Sequence, residues 1–81
     1  MDLIERVEAP PVGHVRLLAV GAGRWRVLGR GGRLLGHLRA DAQPGGVRYH
    51  AERFDAAAAR LRTVGSFWTA AEATECLRYL R

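Results

Sequence analysis

The closing phrase Val64-Gly65-Ser66-Phe67-Trp68-Thr69-Ala70-Ala71-Glu72-Ala73 does most to limit what this chain can fold into. Within two positions a run of β-branched and aromatic residues gives way to a helix start. Thr69 stands three residues before Glu72, the reciprocal pattern in which each side chain serves a backbone amide the helix leaves free. Downstream, Ala70, Ala73, Leu77 and Leu80 recur three and four apart with Cys76 beside them, so one stripe is apolar, while Glu72, Glu75 and Arg78 lie away from it. A helix of about twelve residues is marginal alone and must dock on something.

What it docks on is a sheet. His14 to Val20 is a strand candidate closed by Gly21-Ala22-Gly23. Arg24 to Leu28 and Leu34 to Ala40 form a hairpin around Gly29-Arg30-Gly31-Gly32-Arg33, whose glycines supply the positive φ angles of a tight turn. Asp41 to Gly46 reads as a loop by composition. Val47 to Phe54 alternates as a strand, Asp55 to Ala59 is a hairpin loop or one helical turn, and Arg60 to Phe67 is the last strand. The expected fold is therefore α+β, a four- or five-stranded antiparallel sheet with one C-terminal helix packed on one face. Residues 1–13, with an acidic run and then Ala9-Pro10-Pro11, read as a flexible leader to a single small domain over 14–81.

Strand side chains alternate between faces, so parity sorts them. Trp25, Val27, Leu34, Gly36, Leu38, Ala40, Val47, Tyr49, Ala51, Leu61, Thr63, Gly65 and Phe67 fall on one face, which carries no charge. Arg24, Arg26, Arg39, Arg48, Arg60 and Arg62 fall on the other, with His37, His50 and Glu52. The uncharged face is the expected seat of the helix. The remaining face is the expected nucleic-acid-binding surface, because solvated sheet faces usually mix signs to avoid like-charge neighbours. Trp25, Tyr49 and Phe67 read as core, and Trp68 as a staple for the helix start or, second to that, an exposed stacking or interface residue.

Charge points the same way. All thirteen basic residues are arginine, and from Ala9 onward twelve of them face five acids, whereas Asp2, Glu5 and Glu8 precede that point with Arg6 alone. A basic body behind a short acidic leader suits a polyanion.

The phrase Val64 to Ala73 also resembles the end of the ethylene-response-factor DNA-binding domain, which is similar to the arm-binding domains of tyrosine integrases. The matching positions are Val64, Gly65, Ser66, Phe67, Thr69, Ala70, Glu72 and Ala73, within residues 60–80, with Trp25-Arg26-Val27 as a second, aromatic-led match. The resemblance implies a sheet backed by one helix and laid in the DNA major groove, with Arg24, Arg26, Arg48, Arg60 and Arg62 as the contacting residues. The family's opening strand motif is missing here, and an extra strand is present.

Other chemistry finds little support. Arg26 and Leu34 stand where a dinucleotide fingerprint needs its third glycine, and no GK[ST] follows either glycine cluster. His37 and His50 have no third ligand at metal spacing. Ser66, the only serine, lacks a Gly-x-Ser-x-Gly elbow. One cysteine, Cys76, forms no internal disulfide. With no apolar run long enough to span a membrane and no signal-like start, the expected location is cytoplasmic. The sequence thus leads to a non-catalytic protein without metal or cofactor that binds nucleic acid, DNA in preference. The alternative is a small protein-interaction module, an assembly subunit or homodimer, meeting an acidic partner.

Overall fold

In the computed structural model, residues 15–80 are described, so the 1–13 leader lies outside the described residues. Five strands and one helix follow in order: β1 Arg16–Gly21, β2 Arg24–Leu28, β3 Leu34–Gln43, β4 Gly46–Asp55, β5 Arg60–Phe67 and α1 Ala70–Tyr79. Each strand pairs antiparallel with the next, giving one open meander in the order β1-β2-β3-β4-β5. The α+β architecture is as the sequence implied. The first strand joins the main sheet through Arg16↔Leu28 to Gly21↔Arg24.

One connection differs from expectation. Asp41 to Gly46 is mostly strand, since β3 runs to Gln43 and β4 begins at Gly46, opposite it. Pro44 and Gly45 make the two-residue turn, and Gly46 at φ 133° takes a conformation closed to other residues. Between β2 and β3, Arg30–Gly32 forms a single 3-10 turn with Gly31 at φ 69° and Gly32 at φ 80°.

Helix α1 lies over β3, β4 and β5. The path beneath it is made of small residues, Gly36, Ala51 and Gly65, which lets Leu77 and Cys76 approach the strand backbone. Trp25, Val27, Leu38, Ala40, Ala51, Ala70, Ala73 and Leu77 form the buried cluster, flanked by Leu17, Leu35, Tyr49 and Phe67. Burying each Leu or Val contributes about 1.5–3 kcal/mol. The apolar stripe is one residue shorter than its spacing predicts: Leu80 is exposed, and Thr74 is buried in its place. Thr74 is tolerated there because its hydroxyl bonds back to the carbonyl oxygens of Ala70 and Ala71, both at 3.0 Å.

The helix start is half the expected motif. Thr69 Oγ1 accepts from the Glu72 amide at 3.2 Å, while the Glu72 carboxylate accepts the Thr69 hydroxyl at 2.9 Å. Trp68 is no staple: it is 51% exposed, with the Arg48 guanidinium 4.5 Å above its ring centre.

The face sorting fails at two bulges. In β3 Val27 opposes Gly36 while Leu28 opposes Leu34, so Leu35 is an extra residue. In β5 Ala51 opposes Gly65 while Glu52 opposes Thr63, so Val64 is extra. A single extra residue reverses parity for everything beyond it. Leu34, Leu61 and Thr63 therefore sit on the face away from the helix. Arg60 and Arg62, opposite Asp55 and Arg53, sit on the helix side, so that side does carry charge.

Candidate functional site

The side of the sheet away from α1 is ordered in cross-strand rows. The first holds Arg16, Leu28, Leu34, Phe54 and Leu61. The second holds Leu18, Arg26, His37, Glu52 and Thr63. The third holds Arg24, Arg39, His50 and Ser66. Beyond it Asp41 opposes Arg48. The first row is largely apolar, and Leu34 and Phe54 are 52% and 63% exposed.

The arginines of this face are mostly engaged. Glu52, only 7% exposed, lies beneath two of them: its Oε2 accepts from Arg39 Nε at 3.3 Å, and Arg24 Nη1 stands 3.9 Å from its Oε1. Arg48 stacks on Trp68. Of the six arginines that parity grouped together, Arg24, Arg26, Arg39 and Arg48 share this face and Arg60 and Arg62 do not. Among the described residues only Arg26 of the four has neither an acid within 4.0 Å nor a stacked ring.

His50 and Ser66 face each other across β4 and β5, with His50 Nδ1 and Ser66 Oγ 2.7 Å apart and Asp41 Oδ2 3.6 Å from His50 Nε2. The order carboxylate, imidazole, hydroxyl is that of a nucleophilic triad. The carboxylate is beyond hydrogen-bond reach, however, and the hydroxyl meets Nδ1 rather than Nε2. The arrangement is a cross-strand tie on an open face. The Gln43 amide, donating at 3.1 Å, holds the Asp41 carboxyl below its usual range. Among the described residues no group of three or more His, Cys, Asp or Glu is placed to hold a metal ion, and no helix is long and apolar enough to cross a membrane.

Burial, and then the charges of Arg26 and Arg24, push His37 below its ordinary value of 6.5, with Glu52 opposing them. The folded state thus binds a proton less readily than the unfolded chain, so His37 favours folding above pH 6.5, and that preference is lost as pH falls below it. A thermal melt series downward from pH 7 should show the midpoint falling, and His37→Gln should flatten that slope. The Asp41 contribution, lost only as pH drops toward and below 3.8, leaves this window untouched.

The strongest charge lies elsewhere, at one end of the sheet. The meander brings together the start of β1, the β2–β3 turn, the end of β4 and the start of β5, and α1, starting near the opposite end, finishes there. That end carries Arg16, Arg30, Arg33, Arg53, Arg60, Arg62 and Arg78. Arg62 pairs with Asp55 at 3.4 Å and Arg78 with Glu75 at 2.9 Å, while the other five have no acid within 4.0 Å among the described residues. Arg33, Arg53 and Arg78 line a cavity of about 550 Å³ with Leu35, Leu77 and Tyr79. Sequence parity missed Arg16, Arg30, Arg33, Arg53 and Arg78, because strand ends, one turn and a helix end, not one strand face, collect them. The hairpin order was the available signal: once the strands are folded as a meander, alternate turns share an end.

Comparison with known proteins gives no match to this chain among family models, curated proteins or solved structures.

Proposed function

We propose that the chain is a non-catalytic, cytoplasmic nucleic-acid-binding domain, with DNA the favoured lattice. Its contact surface is the arginine-rich end of the sheet, extended by Arg26, rather than the whole open face. One observation carries this reading: seven arginines converge from the β2–β3 turn, the neighbouring strand ends and the end of α1, where among the described residues only two acids answer them. Such an unbalanced cluster costs self-repulsion, which a phosphate backbone relieves by releasing its counterions. Arginine adds paired donors that match phosphate oxygens and guanine edges. The resemblance to the ethylene-response-factor domain implies a different docking, sheet face into groove, in which Arg24 would first have to leave Glu52 and Arg48 leave Trp68.

The test is a titration of duplex DNA at several salt concentrations. With about four to five phosphates neutralised, log K should fall against log salt with a slope of about −4. The Arg33→Ala, Arg53→Ala, Arg60→Ala triple variant should lose about three units of that slope, roughly one per phosphate contact. Arg48→Ala should leave it nearly unchanged. A flat salt dependence in the wild type, or a triple variant with the wild-type slope, overturns the proposal.

A second reading, a protein-interaction module, is favoured by the apolar row in which exposed Leu34 and Phe54 lie between half-buried Leu28 and Leu61, a kind of patch that marks contact surfaces on small proteins. On that reading duplex binding is weak in the wild type and Phe54→Glu has no effect on it.

A further inference from the structure

We infer that the outer edge of β1 pairs with β1 of a second copy, joining two five-stranded sheets into one ten-stranded sheet about a two-fold axis. The two edges of the sheet are treated unequally. The β5 edge carries Arg60 and Arg62 and is broken midway by the Val64 bulge, both of which discourage strand addition. The β1 edge, Arg16-Leu17-Leu18-Ala19-Val20-Gly21, has one charge, at its first position, and its bulge lies at the far end, at Val20. Despite its composition the strand is mostly exposed, with Leu18 and Val20 at 45% and 46%. An apolar strand whose amides and carbonyls along one side have no strand partner among the described residues is a template for another strand.

Self-pairing satisfies the charges as well as the backbone. A two-fold axis normal to the sheet keeps both helices on one side, so residues that face each other must have the same parity. Centring the axis on Leu17 uses the regular stretch Val15 to Ala19 and avoids the bulge. Leu17 then meets its own copy, Val15 meets Ala19, and Arg16 meets Leu18, so no charge faces a like charge. Antiparallel pairing also turns the two arginine-rich ends in opposite directions, leaving Arg16 and its copy two residues out of register, a diagonal pair rather than a facing one. A strand-edge contact buries little area, below about 1,200 Å² in total, so the dimer is reversible and concentration-dependent.

Sedimentation of the full chain from micromolar to millimolar concentration tests this, with two variants at one position. Leu18→Arg would face Arg16 of the second copy twice over and should raise the dimer Kd about tenfold, whereas Leu18→Glu would face the same arginines and should hold or lower it. Thermal melts of dilute samples show whether each variant is folded; if Leu18→Arg is not, the Leu18→Glu result stands by itself. Added salt should tighten the wild-type dimer, the reverse of its effect on DNA binding, so the two activities are distinguishable. A chain that stays monomeric at millimolar concentration, equal Kd values for the two variants, or a dimer abolished by Phe54→Asp and indifferent to position 18 overturns the inference.

Discussion

Gly36→Val is expected to lower the thermal midpoint by roughly 10–20 °C, combining about 2–3 kcal/mol of overpacking with the ~4–8 °C that each kcal/mol moves a domain of this size. A Cβ at position 36 would lie 2.6 Å from the Glu52 carbonyl oxygen and 2.7 Å from Leu77 Cδ2. Neither neighbour can withdraw cheaply. The oxygen belongs to the backbone of β4, and Leu77 is 2% exposed at the centre of the helix contact. Relief must come from lifting α1 or spreading β3 from β4, and either opens the core around Leu38. Gly65 makes the comparison: there a Cβ would meet the Phe67 ring at 2.7 Å, and that side chain, half-buried near the sheet end, can turn aside. Gly65→Ala should therefore cost less than Gly36→Ala when both are melted by circular dichroism. A Gly36→Val midpoint equal to the wild type would mean that the helix does not rest on β3 as described.

The glycine at position 36 also shows what could be read in advance. Strand-to-helix order, the Arg24–Leu28 strand and the Thr69 start were legible because each rests on local chemistry: alternation, positive-φ turns, and a hydroxyl that serves a free amide. The bulges at Leu35 and Val64 were not. A bulge bends and twists its strand to suit its neighbours, a tertiary demand with no residue-type signature in Leu-Leu-Gly or Thr-Val-Gly. Their consequence is large, since one extra residue moved Arg60 and Arg62 to the helix side and delivered Leu34 and Leu61 to the open face. Ion pairing was equally hidden: Glu52 looked like a lone acid among six arginines, yet its position beside both Arg24 and Arg39 makes it the anchor of that face. The arginine-rich end was invisible for a third reason, because its members come from segments up to about sixty residues apart that only the meander order assembles.

Glu52→Gln should destabilise the fold by about 2 kcal/mol, the 3–5 kcal/mol expected on breaking a buried pair reduced because its partners are partly in water. Arg24 and Arg39 face each other directly across β2 and β3, an arrangement that repels unless an anion lies between them. Glu52 is that anion, and glutamine keeps its volume while removing its charge. If the loss is electrostatic, Arg39→Gln on top of Glu52→Gln should recover part of it, giving a coupling of about 1 kcal/mol in the double-mutant cycle. Added salt should narrow the gap between Glu52→Gln and wild type by screening the two guanidinium groups. Urea titrations read both effects, and a Glu52→Gln midpoint within error of wild type would reduce the network to surface decoration. The same variant separates the two DNA-docking geometries. It releases two arginines onto the open face without touching the basic end. If DNA lies against the sheet face, binding tightens and the salt slope steepens by up to two units; if DNA meets the arginine-rich end, the slope stays where the wild type has it.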